Sequence, residues 1–226
     1  MIAYRTRKKP VAKPAKSIRR LPVRQVRERI LRAADALFFT YGIHSVSMDD
    51  ICREVSISKK TFYRFFKDKS ALVHMLVSQN INRQRKLMLQ MEAEATDPVQ
   101  HILQALEMMT NEIRRFHATF VYDLQKYFPR SWQHFQRFIR SELTEVVERN
   151  LRKGILLGLY RPELDAVIMS RLRIEQIFLA ANPNVFPPQQ FSIQQVQLEL
   201  GRHFLYGILT AKGLQTLAKH TSEKKQ

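Results

Sequence analysis

Apolar residues recur every three to four positions over most of this chain, which is the spacing of one buried helical face, and no stretch reads as a strand. Val26, Ile30, Ala33, Leu37, Phe38 and Tyr41 predict a helix from about Val23 to Tyr41. Gly42 ends it, because glycine tolerates the left-handed cap conformation. Ser47 then serves as an N-cap, with Asp49 and Asp50 in the first turn, where the helix dipole favours acids. This short helix runs to about Val55. Ser56-Ile57-Ser58 makes a turn, and Ser58 caps a second short helix from Lys59 to Phe66. Ile51, Val55, Ile57, Phe62 and Phe66 supply a small core that fixes the angle between the two.

The pattern then lengthens. A helix starting at Asp68 or Lys69 reaches about Glu94, and Pro98 opens the next at its first position, running to Phe116. A shorter helix spans about Phe120 to Tyr127. Pro129 breaks the chain, and Ser131 caps a long helix to about Leu157. After a turn at 158–162, Glu163 to Ala180 is helical. A proline-rich loop follows from Asn182 to Pro188, and Ser192 caps a last long helix to about Ala211, resuming through Lys219. The predicted fold is all-α: a basic arm over 1–23, a three-helix helix-turn-helix domain over 24–70, and a larger helical bundle over 71–226.

Composition supports this picture. The chain has 226 residues, 45% of them hydrophobic, and only 6 glycines, enough for a sizeable helical core. Charge adds something new. Residues 1–69 hold 18 Lys+Arg against 6 Asp+Glu, a net +12, while residues 70–226 hold 20 against 14, a net +6. The alternative of a generally basic, solvated surface loses ground because the positive field coincides with the two short helices. A short helix whose outer face carries Lys59, Lys60, Thr61, Tyr63 and Arg64, held at an angle by its neighbour, suits the major groove of double-stranded DNA. Residues 1–23 carry basic side chains and no acid, broken by Pro10, Pro14 and Pro22. They form either an extended arm along phosphates or in a minor groove, or a solubilising tail.

Other chemistry is scarce. No Ser-His-Asp, paired-carboxylate or metal constellation stands out, and His101, His117 and His134 lack metal-ligand spacing, so neither an enzyme nor a cofactor is expected. The single cysteine, Cys52, excludes an internal disulfide and fits a reducing compartment; its place in the first short helix suits a small buried filler. No apolar run approaches the ~18 residues of a membrane span, and no apolar segment follows the basic N-terminus as in a secretory signal, so a cytoplasmic protein is expected.

The run SMDDICREVSISKKTFYRFFKDKSALV resembles the DNA-binding region of TetR-type (tetracycline-repressor-like) transcriptional regulators. The matching features are Ser56 in the turn, Thr61-Phe62-Tyr63, Phe66 and Lys69, preceded by Phe39-Thr40-Tyr41-Gly42 five residues before Ser47. About 50 residues match closely; the remainder matches in helix layout and in the late segment 207–213. Two positions depart, since the family usually has glycine where Ser56 and Lys60 stand. Ser56 must end its helix without glycine's freedom, and Lys60 replaces a close backbone approach by a long cation, which suggests a phosphate or guanine contact instead.

The resemblance implies roles residue by residue. Ser47, Ser58, Tyr63 and Lys69 would contact phosphates, and Lys59, Lys60, Thr61 and Arg64 would face base edges. It also implies a homodimer, most often a repressor on a palindromic operator, built through the last two long helices. Ile168, Leu172, Val196, Leu200, Phe204 and Ile208 are candidates for that surface, unless they are ordinary intrachain core. Met108, Met109, Phe116, Phe120, Trp132 and Phe135 would line a pocket for a small hydrophobic effector, or form a plain aromatic core. A DNA-bound adaptor answering to a protein partner is the alternative, and a filled core without a cavity would favour it.

Overall fold

The computed structural model describes residues 22–115 and 120–223. Its helices are α1 (Val23–Tyr41), α2 (Met48–Val55), α3 (Lys59–Tyr63), α4 (Lys69–Glu94), α5 (Pro98–Arg115), α6 (Phe120–Tyr127), α7 (Pro129–Phe138), α8 (Thr144–Leu156), α9 (Ala166–Ala180), α10 (Ile193–Ile208) and α11 (Ala211–Glu223). The protein is all-α, with a helix-turn-helix unit at its N-terminal end and a larger helical part after it. Phe116 and the arm as far as residue 21 lie outside the described residues.

Three predicted helix starts stand where a short polar side chain meets a free backbone N–H. Ser47 and Asp50 form a reciprocal capping box on α2, Ser58 accepts from Thr61 N–H at the head of α3, and Asp68 accepts from Ala71 N–H at the head of α4. Gly42 closes α1 with φ +82°, and its N–H donates to Phe38 O.

Several boundaries differ from expectation. The α3 helix stops at Tyr63 rather than Phe66, since the N–H groups of Arg64 and Phe65 turn to the carbonyls of Thr61 and Phe62 and tighten the last turn. Pro129 opens α7 instead of breaking the chain before Ser131; its fixed φ and missing N–H suit a first helical position. The long helix expected to Leu157 then holds a π-helical turn, Ile139–Leu143, between α7 and α8. The α9 helix starts at Ala166 rather than Glu163, capped by Asp165, which accepts from Val167 N–H and Ile168 N–H. Ser192 precedes α10 without capping it by its side chain, and α10 ends at Ile208 because Ile208 O and Thr210 N–H pair with the backbone of Arg161 and Leu159.

One continuous apolar cluster joins the small N-terminal helices to the upper bundle, from Ile30 and Phe38 through Phe62 and Val77 to Phe138 and Ile174. A second cluster around Tyr160, Leu151 and Ile208 ties α5, α8 and α10 together below. There Tyr160 OH donates to Asn150 Oδ1, and the Asn150 amide donates to Pro98 O and His101 Nδ1. The ring of Tyr160 occupies the space a Cβ on Gly154 would need, 2.0 Å away.

Candidate nucleic-acid interface and internal cavity

The angle of the reading head is set by burial. Phe62 on the inner side of α3 is fully buried and Phe66 nearly so, with rings 5.7 Å apart, packed with Ile51 and Val55 of α2. Each such side chain contributes about 1.5–3 kcal/mol on leaving water. Ser56, between α2 and α3, adopts the left-handed conformation at φ 59°, ψ 46°, the one non-glycine among the described residues with positive φ. The turn thus requires the geometry that glycine normally supplies, and a serine carries it.

The opposite side of α3 is polar and exposed. Lys59, Lys60, Tyr63 and Arg64 are exposed, and Thr61 is half-buried. Lys59 Nζ lies 2.9 Å from Asp49 Oδ1, a contact that raises the ammonium's pKa. Lys60 and Arg64, one turn apart, have no ionic partner among the described residues. The hydroxyls of Ser47 and Ser58 are occupied in capping: Ser47 Oγ donates to Asp50 Oδ2 at 2.8 Å, and Ser58 Oγ lies 2.9 Å from Thr61 Oγ1.

Lys69 departs from expectation. It is only partly exposed; its Nζ donates to His44 O at 3.2 Å and lies about 6 Å from the rings of Phe38 and Phe128. Burial pushes its pKa down, against the opposing pull of Asp123 and Asp50. The ammonium is thus turned inward, where it helps join α4 to the α1–α2 loop.

That loop is also gripped from the bundle. His44 N–H donates to the buried carboxylate of Asp123 at 2.8 Å, and the His44 ring stacks on Tyr127 at 4.1 Å. Phe39 of α1 stacks on Phe120 at 5.9 Å. Three residues of α6 therefore hold the reading head, while Val121 of the same helix lines the cavity described next.

A cavity of about 200 Å³ sits among α4, α5, α6, α7, α8, α9 and α10. Met108, Met109, Trp132 and Phe135 line it, as the sequence suggests, whereas Phe120 does not and packs on α1 instead. Much of the wall was not anticipated: Met88 and Met91 from α4, Val146 and Val147 from α8, and Ile174 and Phe178 from α9. The cavity also meets charge and polar groups at Arg173, Gln197 and Glu112. The Met88, Ile174 and Phe178 positions are visible in the sequence only as helix faces, and which faces share a cavity depends on the tertiary arrangement.

The apolar residues of α9 and α10 divide. Ile168 and Leu172 are 63% and 47% exposed, joined on the outer side of α9 by Val167 and Leu179. Val196, Phe204 and Ile208 are buried within the chain, and Leu200 is partly covered. The expected α10 stripe is therefore intrachain core, since that face packs on α5 and α9. The exposed face of α10 instead shows Arg202, His203 and Tyr206. Among the described residues no helix is long and apolar enough to cross a membrane.

Comparison with known proteins follows this geometry. Residues 30–76, which span most of α1 through the first part of α4, match the family model described as bacterial regulatory proteins, tetR family. The chain is similar to the HTH-type transcriptional regulator UidR of Escherichia coli strain K12, 28% identical over 156 residues that cover 66% of this chain and 76% of that protein. Among solved structures it resembles a TetR-family transcriptional regulator from Agrobacterium tumefaciens, at TM-score 0.67 and 19% identity, over 83% of this chain and 99% of that one. A regulator from Saccharomonospora viridis solved in complex with choline matches equally well, at TM-score 0.67 and 16% identity, over 83% and 99%.

Proposed function

We propose that this chain, a TetR-type DNA-binding transcriptional regulator, works as a homodimeric repressor that leaves a palindromic operator when a small molecule enters its cavity. The observation that carries the DNA-reading part is the outer side of α3, where Lys60 and Arg64 stand exposed and without an ionic partner beside Tyr63 and Thr61. In this reading Thr61 and Arg64 face base edges, Tyr63, Lys59 and Lys60 meet phosphates, and the basic residues 1–23 add phosphate contacts. Ser47 and Ser58 act by shaping the helix starts, and Lys69 by anchoring the head. One α3 reads only a few base pairs, so a second copy about one DNA turn away is required for a long site. The exposed apolar side chains of α9, Ile168 and Leu172 foremost, supply a surface for that copy.

The cavity favours a small effector over a protein partner, and a relative of the same fold was solved with a small molecule. The coupling we infer runs through α6. Val121 meets the cavity, while Asp123 and Tyr127 hold the α1–α2 loop, so an occupant that shifts α6 shifts the head. A ligand that fits one head spacing better than the other moves the population by its difference in affinity. The test is fluorescence anisotropy of the full chain on its own promoter DNA and on random DNA at about 150 mM salt. Site preference in a two-to-one protein-to-site ratio is expected, and equal affinities would sink the proposal.

A further inference from the structure

Arg173 stands apart from the other arginines near the bundle interior. Arg83, Arg85 and Arg149 each reach a carboxylate, on Glu112, Glu142 and Glu92. Arg173 is 6% exposed, lines a mostly apolar cavity, and has no carboxylate partner among the described residues. Its one hydrogen bond is a long one, from Nη1 to Gln176 Oε1 at 3.4 Å, and its guanidinium lies 5.8 Å from the centre of the Phe204 ring. Burial pushes its pKa down to about 10, which leaves it charged at neutral pH. A guanidinium offers five donors in a fork that matches a carboxylate, and a buried cation with one weak hydrogen bond is poorly compensated.

A second group beside it is also incomplete. Gln197 is 3% exposed and lines the same cavity; its amide N–H donates to Ile177 O at 2.8 Å, while its Oε1 has no hydrogen-bond partner. Gly201, one turn further along α10, leaves room for the arginine head. A Cβ there would stand 3.5 Å from Arg173 Nη2 and 2.5 Å from Leu106 Cδ2. The α9–α10 side of the cavity therefore brings one cation and, buried beside it, one acceptor without a partner; the rest of the wall is largely methionine, aliphatic and aromatic, with Gln84, His101, Glu112 and Asn150 as its other polar members.

We propose that the occupant of this cavity is a small amphipathic carboxylate, with its carboxylate forked on Arg173 and its apolar body among Met88, Met109, Trp132 and Phe178. The inference rests on the reading above that the cavity is the effector site. The volume limits the body to roughly a phenyl ring or a short alkyl chain, since an apolar cavity of about 150 Å³ accepts benzene.

Calorimetric titration of the full chain at pH 7.5 with 3-phenylpropionate and with its neutral counterpart 3-phenylpropanol tests this. The carboxylate should bind at least about tenfold tighter than the alcohol, as a charge-assisted fork requires. In Arg173→Met that preference should vanish while the alcohol still binds, and Arg173→Lys should keep part of it. Equal affinities of the two probes for the native protein would overturn the anionic class and leave the effector cavity standing. Binding of neither probe up to millimolar concentration would overturn both. A carboxylate preference that survives in Arg173→Met would place the anion elsewhere and sink the proposal. If Arg173→Met does not fold, the paired titration on the native protein decides alone.

Discussion

The reading head and the cavity are built by opposite means. In the head, groups close in sequence solve one another's problems: Ser47 with Asp50, Ser58 with Thr61, Asp68 with Ala71, and Lys59 with nearby Asp49. In the cavity, Met88, Met108, Trp132, Arg173 and Phe204 come from five helices spread along the chain. The caps of the head are each satisfied locally, whereas the cavity exists because distant faces do not quite fill the space between them. The proposed mechanism uses this division, with a reader attached to a part whose packing a ligand would alter.

The sharpest way to break the comparison is in the lower bundle. Gly154→Ala forces a methyl against the fully buried Tyr160 ring, and should cost about 3 kcal/mol or more, since the ring is held by Asn150. Thermal unfolding would read this as a drop of many degrees, and an unchanged Tm would show that the ring has somewhere else to go. Next comes the joint between the regions. Asp123→Ala leaves His44 N–H without its acceptor and removes a carboxylate that favours the charged form of Lys69, for a loss of about 1–3 kcal/mol. It should also blunt the effect of cavity ligands on DNA affinity; full retention of that effect would remove α6 from the coupling.

Two lysines then sharpen the contrast inside the head. Lys60→Ala should leave stability unchanged and lower the slope of log affinity against log salt by about one, as for one lost phosphate contact. Lys69→Ala should do the reverse, lowering stability with little change in slope. Identical slopes for the native chain and Lys60→Ala would return Lys60 to the solvated surface.

A smaller effect concerns pH. Burial raises the Asp97 carboxyl's pKa, but the N–H of Gln100, the His220 ring 2.6 Å away and the N–H of Val99 outweigh it and hold the pKa below the usual range. The carboxylate's pKa is depressed in the folded state, so its contribution is complete above the ordinary carboxylate pKa of about 4 and is lost as pH falls through the folded value. Urea midpoints should fall more between pH 6 and pH 3 for the native chain than for Asp97→Asn. The smallest effect is Ser56→Gly, which relieves the left-handed turn and should stabilise by up to about 1 kcal/mol in chemical denaturation, without altering the head.

The same division explains what could be read from the sequence. Caps, the Gly42 stop and the α2–α3 turn depend on neighbours a few residues away, and these stand where the pattern places them. Lys69 turned inward because of His44 and Asp123, 25 and 54 residues distant, which no local pattern contains. Val196, Phe204 and Ile208 share helical spacing with any surface stripe, and only packing against α5 and α9 made them interior. Arg173 is hidden for the same reason: in the sequence it is one arginine of a basic chain, and its lack of a carboxylate is visible only after folding.

The α4 helix begins beside the reading head at Lys69 and passes the cavity at Met88 and Met91 before ending at Glu94. Its 26 residues make a rod about 39 Å long at 1.5 Å per residue. Pivoted at one end, such a rod converts a tilt of about 5° into a sweep of about 3 Å at the other, close to the rise of one base pair. A sub-ångström rearrangement around Met88, near the pivot, would thus be magnified geometrically into a misfit of whole base-pair size at the operator.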